Sequence, residues 1–128
     1  MKLEKLVLKG DLTMIAIMNP TVAWILLFVA AAFEVAWAGT MKLTEGFSRL
    51  LPSILNLSCM ACSVILIENV VKVLPVGTAY AVWTGIGAVG AMLIGIWVYH
   101  EPASVLRILF LLMIVAGIVG LNLTSQGA

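Results

Sequence analysis

The chain is 128 residues long, with 63% hydrophobic and only 10% charged residues and a formal net charge of +1. Its mean hydropathy of +1.19 lies far outside the range of soluble domains. A soluble fold is therefore excluded, and so small a net charge gives no support to nucleic-acid binding. We expect an integral membrane protein.

The N-terminal segment differs from the rest of the chain. Residues 1–17 hold three Lys, one Glu and one Asp. A signal peptide fits poorly, because Asp11 interrupts the segment and no small-residue cleavage pattern follows. We expect residues 1–19 to be a disordered or interfacial tail without function, and Met18 is an equally good start of the protein. Pro20 then suits the first turn of a helix.

Beyond the tail, charged residues fall in narrow bands that separate long apolar runs. A helix needs roughly 20 residues to cross about 30 Å of hydrocarbon. We predict membrane-spanning helices at about 20–41, 51–70, 76–98 and 104–124. The loops between them are short, so neighbouring helices must run antiparallel. The predicted fold is all-α, with one four-helix transmembrane domain over residues 20–126 in the inner (plasma) membrane.

One carboxylate, Glu34, interrupts the first apolar run, since residues 12–33 and 35–41 carry no charged side chain. A charge at the centre of a membrane helix costs about 2.5–3.5 kcal/mol on insertion scales. Such residues usually serve a proton relay, an ion site or a counter-charge for a cation. The alternative is a carboxyl that is buried and hydrogen-bonded in a helix contact. Because no other carboxylate lies in the middle of a span, we favour one of these functional roles over the structural one.

Basic residues do not decide which way the chain inserts. The two sides of the membrane carry four and three of them with the tail, and one and three without it. A chain with so weak a bias can insert both ways up, and two copies could pair as an antiparallel, dual-topology dimer. The alternative is one fixed orientation. The residues counted are Lys2, Lys5, Lys9 and Lys72 on one side and Lys42, Arg49 and Arg107 on the other.

Glycines mark two candidate functions in the last two spans. Packing four helices leaves little interior beyond side chains, so a transport role implies at least a dimer. Gly117 and Gly120 form a candidate face for dimer packing. Gly85, Gly87 and Gly90 weaken the third span locally and are candidate hinge residues. The alternative for each is ordinary packing between membrane helices.

Two short motifs do not carry chemistry here. Residues 85–90 match the dinucleotide fingerprint letter by letter, but they lie inside an apolar span without the strand that this motif requires. Cys59 and Cys62 match C-x-x-C at mid-membrane, with no further ligand nearby, so no metal site is expected. His100 lies in a polar loop, where solvation is the default. The sequence indicates no catalytic set, no enzyme activity and no cofactor.

Aromatic and hydroxyl residues recur at helical spacing on three spans. Trp37 shares a face with Glu34. The face of the second span that includes Ser63 also carries Asn56, Cys59 and Met60. Tyr80 and Trp83 share a face of the third span. A cavity that combines a carboxylate, hydroxyls and indole rings suits a small organic cation. Taken singly, each aromatic residue could instead serve packing or interfacial anchoring.

Two blocks of sequence carry a resemblance to a known family. Phe33-Glu34-Val35-Ala36-Trp37-Ala38 resembles the first helix of the small multidrug resistance transporters. The block from Leu74 to Gly90, with Lys42 and residues 46–49, is most similar to the guanidinium-exporter branch. The resemblance runs from about Ala23 to Leu123. It implies an antiparallel dimer of four-helix subunits that exports a cation in exchange for protons.

The resemblance also assigns roles to residues. Glu34 would bind protons and substrate in turn, because the cation and the protons cannot occupy the carboxylates of the two subunits together. Trp37, Ser63, Tyr80 and Trp83 would line the cavity and donate hydrogen bonds. Guanidinium would match the carboxylate because its planar N–H groups form a fork. Exchange by alternating access would then bend the third span.

The chain departs from the pattern of the branch at several positions. Ala31 stands where the branch usually has glycine, Glu68 adds an acid at the end of the second span, and Asn122 stands where lysine is common. With the loop at residues 100–102, these changes resemble members that work as heterodimers. Two alternatives therefore stay open. One is an exporter of quaternary ammonium and other drug cations, and the other is a subunit that does not transport alone.

Overall fold

The computed structural model describes residues 1–17 and 19–125, with side chains described for residues 1–9 and 19–124. Its α-helices are α1 (Lys2–Ile17), α2 (Pro20–Thr40), α3 (Leu50–Val70), α4 (Val76–Trp97) and α5 (Val105–Ser125). A 3₁₀ turn, Met41–Thr44, follows α2. The alternative start at Met18 and the predicted domain end at residue 126 lie outside the described residues.

Helices α2 to α5 are long and apolar enough to cross a membrane. Their ends agree with the four predicted spans to within one residue. The start of α2 shows why the boundary is readable from sequence. The Asn19 side chain accepts a hydrogen bond from the backbone N–H of Val22 at 2.9 Å, and Pro20 occupies the first turn. The predicted all-α membrane fold is confirmed.

The N-terminal tail is helical from Lys2 to Ile17. We expected a disordered or interfacial segment, so the structure differs from the first of these alternatives. The side chains of residues 1–9 are exposed, and α1 contacts none of the other described helices. An interfacial position for this helix stays a prediction.

Helix α2 is the centre of the helical bundle, because it packs against both α3 and α4. Ala23, Leu27, Ala30 and Ala31 are completely buried along it. Small residues of this kind let neighbouring backbones approach closely. In lipid the hydrophobic effect does not drive helices together, so close packing and hydrogen bonds between helices hold such a bundle. Glu34 lies on α2 directly after these buried residues.

Helix α5 packs against α4 only, within the part of the chain that the structure describes. Gly85 on α4 lies under Ile118, and a Cβ added there would lie 2.9 Å from the Ile118 Cδ1 atom. Gly117 and Gly120 lie elsewhere on α5, where an added Cβ would have nothing within 4 Å. The two predicted dimer-packing glycines thus lie in open space in one subunit, and their role in a dimer stays a prediction.

We expect Gly117→Ile combined with Gly120→Ile to weaken self-association without unfolding the subunit, because the added side chains meet nothing inside it. A loss of about 1–2 kcal/mol of helix packing corresponds to roughly a tenfold higher dissociation constant. Chemical crosslinking of the detergent-solubilised protein over a dilution series measures this. Gly77→Ile is the matched control, since Gly77 is equally open but lies in the first turn of α4. Unchanged crosslinking of the double variant would contradict the dimer face.

Candidate functional site

The Glu34 carboxylate is held by a neighbour on its own helix. Trp37 donates its indole N–H to Glu34 Oε2 with an Nε1 to Oε2 distance of 2.6 Å. The two residues are three apart, which places their side chains on one face of α2. Both are half-buried. A short hydrogen bond to a charged acceptor is among the stronger ones in proteins, so Trp37 orients one carboxylate oxygen.

Ser63 connects three helices at the level of Glu34. Its side chain on α3 is completely buried. The Oγ atom donates to the backbone carbonyl of Ala30 on α2 at 2.7 Å and lies 3.4 Å from Glu34 Oε2. It also accepts the indole N–H of Trp83 on α4 at 2.9 Å. A hydroxyl has one proton, so the shorter contact takes it and the approach to Glu34 is the weaker one.

Of the five residues predicted for the site, four form one continuous set of hydrogen-bond contacts. Glu34, Trp37, Ser63 and Trp83 are joined in this way. Tyr80 joins the set through its ring alone, which packs edge-on to Trp83 with 5.4 Å between ring centroids. Its side chain is 57% exposed, so it borders the cluster and has a free face toward the surroundings.

The α4 glycines allow that helix to lie against the site. A Cβ added at Gly87 would lie 2.6 Å from Glu34 Cγ, and one at Gly90 would overlap the side chain of Val35. Helix α4 is continuous through Gly85, Gly87 and Gly90. In this structure these glycines serve close packing, and a bend at them stays a prediction.

Two hydrogen bonds to backbone carbonyls of α2 were not predicted. Asn56 on α3 is 1% exposed, and its Nδ2 donates to the backbone carbonyl of Trp37 at 2.6 Å. Tyr99, beyond the end of α4, donates its hydroxyl to the carbonyl of Gly39 at 2.6 Å. For Asn56 a signal was available, because it lies seven residues before Ser63 and shares its face. Nothing in the sequence pattern points to Tyr99.

A cavity of about 340 Å³ opens near the ends of α2 and α4, with Lys42, Tyr99 and Glu101 in its lining. The Lys42 ammonium lies 4.9 Å from the centroid of the Tyr99 ring, a cation–π contact. Glu34 is not among the lining residues. The half-buried Glu34 and the exposed Tyr80 ring show that the described residues of one subunit leave part of the site uncovered.

Residues set aside or singled out as departures have ordinary surroundings. Ala31 is completely buried, so its methyl group adds to helix packing. Glu68 lies at the end of α3 in an exposed ion pair with Lys72 at 3.4 Å. Cys59 and Cys62 are free thiols. Among the described residues no group of three or more His, Cys, Asp or Glu side chains could hold a metal ion.

Comparison with known proteins identifies the family. Residues 22–114 match the model of the family described as Small Multidrug Resistance protein. The chain belongs to this family. All five predicted site residues lie within the matched range. It is therefore a member of a transporter family, and its four spanning helices make it a multi-pass protein of the inner membrane.

Individual relatives are similar over nearly their whole length. The chain is 52% identical over 103 residues to a protein of Proteus vulgaris named guanidinium exporter, covering 80% of this chain and 99% of that one. A guanidinium exporter of Yersinia pseudotuberculosis is 56% identical with the same coverage. One of Salmonella typhimurium is 53% identical over 104 residues, with 81% of this chain and 99% of that one covered.

We expect Gly87→Ala to displace the Glu34 side chain, because the added methyl would lie 2.6 Å from its Cγ. Overpacking of this kind costs about 1–3 kcal/mol. The Trp37 indole N–H should then lose its short hydrogen bond, which ¹⁵N NMR of the purified protein reports as a shifted indole resonance. Gly77→Ala serves as the control, since an added Cβ there meets nothing within 4 Å. An unmoved Trp37 resonance in Gly87→Ala would contradict this packing.

Proposed function

We propose that this protein exports guanidinium or a small guanidinyl cation in exchange for protons, with Glu34 as the group that both bind. The main support is a carboxylate within an apolar membrane helix whose Oε2 receives the Trp37 indole N–H at 2.6 Å. The names of the relatives, guanidinium exporter, agree with this substrate. The protein is a transporter without enzyme activity.

The free part of the carboxylate fits a guanidinium ion. Both hydrogen-bond contacts of the Glu34 side chain go to Oε2, and within the described part of the chain Oε1 accepts none. Guanidinium is planar and carries forked N–H donors that suit carboxylate oxygens. We propose that rings of the connected set formed by Trp37, Trp83 and Tyr80 cover the faces of such a cation through cation–π contacts.

Exchange follows from competition for one group. A proton on Glu34 removes the charge that attracts the cation, and a bound cation disfavours the proton. Binding of either on one side of the membrane therefore displaces the other. Coupling requires that the site open to one side at a time, since a site open to both sides would let the cation leak.

We propose that the transporting unit is an antiparallel dimer. One subunit leaves the Glu34 cluster partly uncovered, and α5 contacts α4 alone among the described helices. Two copies in opposite orientations would bring two Glu34 carboxylates to one site. Gly117 and Gly120 would pack at the interface, and the glycines of α4 would permit its bending.

We expect uptake of labelled guanidinium into proteoliposomes that hold only this chain, driven by an imposed proton gradient. Glu34→Gln should lower the rate roughly tenfold to hundredfold, because hydrogen bonds to a charged group contribute about 1.5–3 kcal/mol each. Glu68→Gln is the matched control, as this carboxylate is paired with Lys72 in an exposed position. Intact proton-coupled uptake by Glu34→Gln would contradict the proposal.

Parallel measurements with tetraethylammonium separate the alternatives. Uptake of guanidinium alone supports the selective exporter. Uptake of both cations would move the function to a polyselective drug exporter. The absence of uptake of either cation would indicate a subunit that needs a paralogous partner.

We expect Ser63→Ala to discriminate between the two cations. Loss of the hydroxyl leaves the half-buried Trp83 indole N–H without its acceptor, at a cost of about 1–3 kcal/mol. Affinity for guanidinium should fall about tenfold. Tetraethylammonium has no N–H donors, so its binding depends less on how the hydrogen-bonded side chains around Glu34 are positioned. Its affinity should therefore change less. Ser58→Ala is the control, because Ser58 is exposed and bonds only within α3. Equal losses for the two cations would contradict the hydrogen-bonding role.

A further inference from the structure

Helix α3 bonds to α2 on both sides of Glu34. Ser63 donates to the carbonyl of Ala30, and Asn56 donates to the carbonyl of Trp37. The two donors are seven residues apart, and so are the two acceptors. The acceptor residues lie on either side of Glu34 on α2, Ala30 four residues before it and Trp37 three residues after it. Each distance is about one helical turn. The turns that carry the carboxylate are thus tied to one rigid neighbour.

The Asn56 amide is arranged as a pure donor to α2. Nδ2 has two protons, and it lies 2.6 Å from the Trp37 carbonyl oxygen and 3.1 Å from Thr40 Oγ1. A carbonyl accepts only, so the nitrogen of the amide must face Trp37. Asn56 Oδ1 is buried without a hydrogen-bond partner among the described residues. The side chain meets two groups of α2 and leaves its own oxygen unsatisfied.

This arrangement is poor for stability. A buried carbonyl oxygen without a partner loses the hydrogen bonds that it had with water, and an apolar side chain of similar size avoids that loss. The unsatisfied oxygen thus offsets part of what the two donated hydrogen bonds contribute to the contact between α2 and α3. The acceptor indicates a further role, because this carbonyl belongs to the residue whose indole N–H is bonded to Glu34, in the last turn of α2.

We propose that Asn56 is a positioning residue for transport: it holds the last turn of α2 so that the Trp37 indole N–H stays on Glu34. This inference rests on the proposed role of Glu34. The 3₁₀ turn at Met41–Thr44 follows directly, so the helix changes geometry just beyond Trp37. Without the amide, the last turn of α2 keeps the Tyr99 hydroxyl on the carbonyl of Gly39, but the Trp37 carbonyl loses its contact with α3, and the indole shifts with its backbone. Ser63 still holds the preceding turn through Ala30.

The test is Asn56→Leu, which removes both donors and the unsatisfied oxygen at similar volume. Affinity for guanidinium should fall about tenfold, while thermal stability of the purified protein stays equal or rises. The ¹⁵N resonance of the Trp37 indole should move, which a purely structural role of Asn56 would not cause in a folded protein. Asn56→Asp keeps the shape but replaces the donors with acceptors, and it should lose at least as much affinity.

Asn69→Leu is the matched control on the same helix. The Asn69 amide donates to the carbonyl of Ile65, four residues earlier in α3, so its loss breaks no bond to α2. Wild-type affinity and an unmoved Trp37 resonance in Asn56→Leu would overturn the inference. An affinity loss matched by a lower melting temperature would overturn it too. Failure of the wild type to bind guanidinium would instead refute the proposed function, and the NMR shift would still report on the Asn56 contact.

Discussion

A carboxylate within hydrocarbon must find its donors inside the protein, and this requirement shapes the centre of the subunit. Glu34 meets the Trp37 indole on its own helix and the Ser63 hydroxyl on α3. Ser63 in turn accepts the Trp83 indole of α4. Side chains from three helices thus form one connected set at the carboxylate, and the Trp37 indole donates its short hydrogen bond. Mutation of Trp37, Ser63 or Trp83 should therefore change the position of the Glu34 carboxylate.

Close backbone approach makes these hydrogen bonds possible. Alanines line the buried stripe of α2, and Gly87 leaves room for the Glu34 side chain against α4. Ser63 and Asn56 then reach backbone carbonyls of α2, which only a short distance between helices allows. Small residues and polar residues act together here, because lipid offers no hydrophobic drive for helix association. Even so, the Glu34 side chain stays half-buried in the part of the chain that the structure describes.

The sequence predicts some parts of this structure and leaves others open, for identifiable reasons. The four spans follow from the contrast between apolar runs and charged bands, and Asn19 with Pro20 marks the first helix end. The pair of Glu34 and Trp37 follows from helical spacing within one span. The sequence does not predict that Asn56 faces the Trp37 carbonyl while Ser63 faces that of Ala30. Both helices are apolar on most faces, so no pattern fixes how one is rotated against the other.

The sequence also did not predict contacts between segments that are far apart in the chain. Nothing in the sequence pattern indicates that the Tyr99 hydroxyl reaches the Gly39 carbonyl, 60 residues away. The exposure of Tyr80 could not be predicted either. The sequence of α4 is the same whether the Tyr80 ring faces a neighbouring helix or lipid. The helical form of the tail has a similar origin, because charged residues in a short segment suit both a disordered tail and a helix at the membrane surface.

The most direct test of competition at Glu34 measures protons rather than transport. The purified protein in weakly buffered detergent should release protons when guanidinium is added, as a pH-indicator dye would record. Release should vanish in Glu34→Gln and persist in Glu68→Gln. Guanidinium binding without proton release at any pH of a series from acid to alkaline would contradict the account, because cation and proton would then occupy separate groups.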